Sequence, residues 1–148
     1  MKFWQTCFLA AFSWVAAGCG PERGLIPNTH DGRVPDVIDF SAQLDSTQSH
    51  KRLITLTWAY DTVRYGTDRE QANLRDWEVF RSFNDTSFFQ SRGRTFFPTF
   101  SDSSNEIQLG ARDSVVVLYK VYPSGYTHDK IQFTGKPSDI VIVTIKKN

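Results

Sequence analysis

Cys19 is the residue whose type and position point most directly to chemistry. It closes an apolar run and follows the small residues Ala16, Ala17 and Gly18. A cysteine thiolate is a nucleophile. The only other cysteine, Cys7, lies inside the run. Three histidines, His30, His50 and His128, are scattered, and no pair has the spacing of helix-borne metal ligands. Asp36 with Asp39, and Asp61 with Asp68, are candidate carboxylate pairs, but turn and surface roles are the expectation for them. No nucleophile-elbow string surrounds any serine, and Gly93 belongs to no phosphate-binding pattern. These observations predict no catalytic residue, no metal, no cofactor and no enzymatic activity.

The elements around Cys19 give it a setting. Lys2 is a minimal positive start, and residues 3–17 are apolar and uncharged. That run is shorter than the ~20 residues of a membrane span and suits a secretory signal over residues 1–18. The four positions Ala16, Ala17, Gly18 and Cys19 resemble the lipobox of bacterial lipoproteins, with Ala16 where that family usually has Leu. The resemblance implies that a diacylglycerol group is attached to Cys19 and that the preceding peptide is removed. It also implies a domain outside the cytoplasm, held to a membrane of the bacterial cell envelope by its N-terminal lipid. Gly20, where an Asp would alter sorting, implies the outer membrane. Cysteine counting agrees. Cys7 leaves with the signal, no disulfide can form in the remaining chain, and acylation accounts for the leftover thiol. Several acyl chains anchor stably where one holds only marginally.

A second group of residues has the composition of a binding surface. Phe88, Phe89, Phe96, Phe97 and Phe100 fall within thirteen residues. Adjacent strand residues point to opposite faces, so one Phe of each doublet should face away from the core. Gly93 suggests a hairpin turn between the doublets, with Arg92 and Arg94 at its tip and Arg81 nearby. Tyr122 and Tyr126, with His128, form a second candidate surface before the last strand. The competing role for the phenylalanines is to cap the sandwich.

Composition bounds the rest. Removing residues 1–18 takes away Lys2 alone, so the formal charge falls from +1 to zero over 130 residues. Neutrality argues against a nucleic-acid partner. The chain is long enough for one domain with a real core, and 12 Phe and 5 Tyr supply apolar surface for it. Residues 19–33 contain three Gly and two Pro after Cys19 and read as a tether, able to reach ~45–50 Å when extended. Strand signals dominate residues 34–148. Alternation marks strands over 34–44, with Pro35 suiting an edge, over 52–60 and over 76–83. Residues 106–109, 115–122 and 140–145 read as further strands. Residues 61–75 read as a long polar loop with a helical turn near 68–75, and 123–130 as a turn-rich loop. About seven short strands separated by turn signals predict an all-β, two-sheet sandwich.

The order of these strands resembles the fibronectin type III domain, an immunoglobulin-like fold, over residues 35–145. Ile54-Thr55-Leu56-Thr57-Trp58 is similar to that family's second strand with its core Trp. Trp77-Glu78-Val79-Phe80-Arg81 is similar to its third strand, residues 115–121 to the sixth, and Pro137-Ser138 with 140–145 to the seventh. Leu109 is present, but Val115 stands where the family's corner Tyr would be. The resemblance implies a binding or scaffold module that recognises an envelope protein or polysaccharide. An accessory subunit docking through a Phe-rich hairpin is the alternative, and a hydrolase with a site invisible as a motif is a remote third.

Overall fold

The computed structural model describes residues 34–45, 52–126 and 131–147. Cys19, the signal and tether segments, and all three histidines lie outside the described residues. Eight strands form two antiparallel sheets: β1 (Val37–Asp45), β2 (Leu53–Tyr60), β3 (Asp76–Phe83), β4 (Gln90–Thr95), β5 (Thr99–Asp102), β6 (Ser114–Tyr126), β7 (Gln132–Thr134) and β8 (Val141–Lys146). One sheet has the order β1-β2-β5. The other has the order β4-β3-β6, with β7 and β8 both paired to the far side of β6. The protein is all-β, as its alternation predicts. Among the described residues no helix is long and apolar enough to cross a membrane.

Alternation explains why β2, β3 and β6 form the centre. Ile54, Leu56 and Trp58 on β2, Trp77 and Val79 on β3, and Val117, Tyr119 and Val121 on β6 are all buried. They face one another between the sheets in a single cluster completed by Val34, Leu74, Ile107, Leu109, Val115 and Ile145. Each fully buried aliphatic side chain contributes ~1.5–3 kcal/mol. The core is layered along the strands. Trp58 and Trp77 pack edge-to-face at 5.8 Å near the pole where Val34 sits. Aliphatic side chains fill the middle. A charged residue, Arg81, occupies the same face of β3 toward the far pole.

Several local expectations give way to tertiary demands. The 90–95 segment is a strand, not a hairpin turn. Gly93 pairs with Val79 at a bulge that leaves Arg92 as the extra residue. The Phe100 ring lies 3.6 Å from where a Gly93 side chain would begin. Residues 105–107 form a 3₁₀ turn where a strand is expected, with Ile107 buried beneath it. Residues 68–74 form the expected turn, with Ala72 N donating to Asp68 O at 2.9 Å, and an additional α-helical turn (α1, Thr62–Tyr65) precedes it, because the Asp61 carboxylate accepts from Val63 N and Arg64 N, each at 3.0 Å. β6 runs through Pro123-Ser124-Gly125 despite their turn chemistry. Gly125 is required there. A Cβ at this position would collide with Asn73 O and stand 2.9 Å from Val34 Cγ2. β7 is a strand that sequence reasoning misses, and β1 carries its own bulge between Ile38 and Ser41, with Asp39 at φ 52°.

Candidate functional site

The sandwich sends the candidate residues to three separate places. Six residues of β4 put ~20 Å between the two Phe doublets, so the expected single Phe-rich hairpin does not exist. Phe88 lies toward the far pole, Phe89 over the outer face of the β4-β3-β6 sheet, and Phe96 and Phe97 at the Val34 pole.

The outer face gathers Phe89, Arg94 and Tyr122. On β3 it presents Glu78 and Phe80, paired respectively with Tyr122 and Lys120 on β6. The Phe80 and Tyr122 rings meet edge-on at 5.1 Å. The Lys120 ammonium stands 4.2 Å from the Phe89 centroid, 5.3 Å from Tyr122 and 6.0 Å from Phe80. Cation–π attraction of this kind is worth ~0.5–2 kcal/mol. Beside it, the Glu78 carboxylate accepts from Ser91 Oγ at 2.6 Å and from Arg94 Nη2 at 3.0 Å. Ile142, opposite Leu118 on β8, extends the apolar surface and is 62% exposed. Phe80, Lys120 and Glu78 are absent from the sequence-based candidates. Lys120, a lone charge within an otherwise apolar strand and two residues from Tyr122, was the available signal.

Arg92 goes elsewhere. The β4 bulge aims it at Glu106, with Nη1 3.3 Å from Oε2. Glu106 also pairs with Arg81, which is only 4% exposed. Arg81 Nη1 donates to Asp102 Oδ2 at 2.6 Å and to Ser104 Oγ at 2.5 Å, and Tyr119 Oη donates to the same Asp102 oxygen at 2.8 Å. This network joins β3 and β6 of one sheet to the end of β5 in the other. Burial alone would raise the Asp102 pKa. The bonds from Ser104 N, Tyr119 and Arg81 outweigh burial and hold it below the ordinary value. Burial, reinforced by the neighbouring Asp102 charge, pushes the Tyr119 phenol up. Burial would lower Arg81, but Glu106 and Asp102 together raise it. All three groups therefore keep their ordinary charge states at neutral pH, and the network acts as an inter-sheet lock rather than a proton shuttle. The unexpected charge on the core face of β3 was the sequence signal for it.

A shallow cleft of ≈ 260 Å³ beside this lock is lined by Arg81, Ser82, Phe83, Asp85, Phe88 and Gln90. Phe88 is 62% exposed at its rim. Asp61 and Asp68 do not pair as acids. Asp61 caps α1, and Asp68 accepts from Glu70 N at 2.8 Å. Among the described residues no group of three His, Cys, Asp or Glu side chains is placed to hold a metal ion. No protein-family model matches the chain, and no curated protein matches it.

Proposed function

We propose that this chain is a lipid-anchored binding module of the bacterial cell envelope, built on a fibronectin type III-like domain. It recognises an envelope protein or polysaccharide through the outer face of its β4-β3-β6 sheet. The fold reading is supported by strand placement. The segments similar to the family's third, sixth and seventh strands lie side by side as β3, β6 and β8. The segment similar to its second strand lies in the opposite sheet as β2, which is the partition such sandwiches adopt.

The observation that carries the binding reading is the aromatic platform around Lys120. An antiparallel sheet with one face on the core ordinarily turns polar side chains to water on the other. Here the half-buried rings of Phe89 and Tyr122 flank a lysine above the buried Phe80, with Ile142 exposed farther along. Flat aromatic rings with a cation and a bridged carboxylate at the edge suit a sugar ring or a protein side chain laid across them. Binding energy concentrates in such aromatic anchors.

The test uses the acylated chain in detergent, presented separately with envelope polysaccharide and with envelope proteins. Tyr122→Ala and Phe89→Ala should each weaken retention ~30-fold, the effect of a hot-spot residue, with unchanged β-sheet circular dichroism. Retention equal to wild type in both variants would remove this face from the proposal. Incorporation of a labelled fatty acid should vanish in Cys19→Ser, and label persisting in that variant would remove the anchor.

A further inference from the structure

The pole where the chain enters the domain is unlike the opposite one. Val34 is buried there, close to Gly125 near the end of β6 and to Gly135 beyond β7. β1 leaves it beside Tyr60 at the end of β2. The 61–75 loop and the 96–98 crossing between the two sheets lie at this same pole. They carry bare apolar side chains: Phe96 is 60% exposed, Phe97 70% and Val63 97%. Arginines stand among the rings. Arg69 lies 5.5 Å from the Phe96 centroid and 5.4 Å from Trp77, Arg64 lies 5.1 Å from Tyr65, and Arg75 lies 4.9 Å from Tyr126. Asp61, Asp68 and Glu70 offset their charge, so the pole is aromatic without being strongly basic. At the far pole, apart from Phe88, the turns 84–87, 103–106 and 110–113 are polar.

We propose that the Val34 pole rests on the phospholipid surface, with Phe96 and Phe97 inserted at the boundary between headgroups and acyl chains. This rests on the lipid-anchor reading. Fourteen residues separate Cys19 from Val34, a span of at most ~50 Å. The anchor therefore keeps the domain near the bilayer and presents this pole to it first. Aromatic side chains with apolar bodies, flanked by arginines whose stems snorkel, are the composition that partitions into a membrane interface. Because positive and negative groups balance, insertion of the rings rather than attraction to anionic lipid drives the contact.

The experiment reconstitutes the acylated chain into phosphatidylcholine vesicles. Phe97→Cys and Phe88→Cys variants are each labelled with an environment-sensitive fluorophore, the new thiol being free because Cys19 is acylated. Nitroxide lipids labelled near the headgroup should quench the fluorophore at 97 at least about twofold more than at 88, with a blue shift at 97 only. Protein that floats with the vesicles but shows equal quenching at both sites, or none at 97, overturns the docking and leaves the anchor standing. Protein that fails to float overturns both. A blue shift at 97 that grows with protein density and is not quenched by lipid identifies a second copy on this pole and equally overturns the proposal.

Discussion

Replacing Asp102 with Ala removes the acceptor that joins the two sheets at the far end of the core. Its Oδ2 accepts from Arg81 at 2.6 Å and from Tyr119 at 2.8 Å, and Oδ1 accepts from Ser104 N at 3.1 Å. Arg81 and Asp102 side chains are each 3% exposed, and Tyr119 is fully buried. Loss of one member of a buried ion pair costs ~3–5 kcal/mol. A stranded buried hydroxyl costs ~1–3 kcal/mol. The two penalties overlap, because Arg81 keeps Glu106 and Ser104, so the expected destabilisation is ~4 kcal/mol. That is a large share of the ~5–15 kcal/mol a domain of this size possesses. With a urea slope of ~1.5 kcal/mol/M, the unfolding midpoint should fall by ~2–3 M. Followed by tryptophan fluorescence, a fall below ~0.5 M would refute the argument that this carboxylate is a desolvated inter-sheet lock. The combined variant Arg81→Met, Asp102→Leu, Tyr119→Phe supplies the control. It leaves no charge stranded and should regain at least about half of the lost stability.

Three further outcomes follow from the same geometry. Asp102 is held below the ordinary carboxylate pKa, so its stabilisation is complete above the unfolded value of ~3.9 and is lost as pH falls through the lower folded one. Urea midpoints measured from pH 6 to pH 2 should drop below pH ~4, and more steeply in wild type than in Asp102→Ala. Gly125→Ala drives a methyl group into Asn73 O and Val34 and should cost more than ~3 kcal/mol. Gly110→Ala, at φ 56° with open space around it, should cost only ~1 kcal/mol, and urea melts that reverse this order would refute the steric account. Arg112 donates to the carbonyls of Glu106, Gln108 and Leu109 at 3.1, 3.1 and 3.4 Å. Arg112→Ala should cost ~1–2 kcal/mol by chemical denaturation, a loss that a spectator surface arginine would not produce.

The legibility of this fold in its sequence varies with the source of each signal. β2 and β3 read directly because their alternation is a local property, set by one face on the core. The end of β6 was hidden because Pro123, Ser124 and Gly125 carry turn chemistry, while the actual reason for Gly125 is the Asn73 carbonyl fifty-two residues away. Gly93 is ambiguous for the same kind of reason, since a bulge and a hairpin turn use the same backbone freedom. Residues 106–109 alternate like a strand. The register that would have made them one is replaced by a 3₁₀ turn that drops Ile107 into the core and frees Glu106 to reach Arg81. The candidate aromatic residues were identified by type, but their division among two poles and an outer face depends on strand direction, which composition does not carry. Arg112 takes up the carbonyls of Glu106, Gln108 and Leu109, and no motif pointed to it.

The two bulges have a consequence for crowding. An open sheet offers unpaired backbone donors and acceptors along its margins, and a second molecule can extend it there. β1 and β4 are margins of their respective sheets, and each is broken: β1 near its start by Asp39 in a left-handed conformation, β4 near its middle by Gly93 with Arg92 displaced. Neither offers an uninterrupted straight row to a neighbouring copy. β8, another margin, ends in Lys146 with Lys147 following, so copies aligned there in parallel register meet like charge. Molecules confined to a plane encounter one another at high local density, where edge-to-edge polymerisation is most favoured. On the lipid-anchored placement proposed above, these interruptions shorten the edge rows of β1 and β4 that a neighbouring copy could extend.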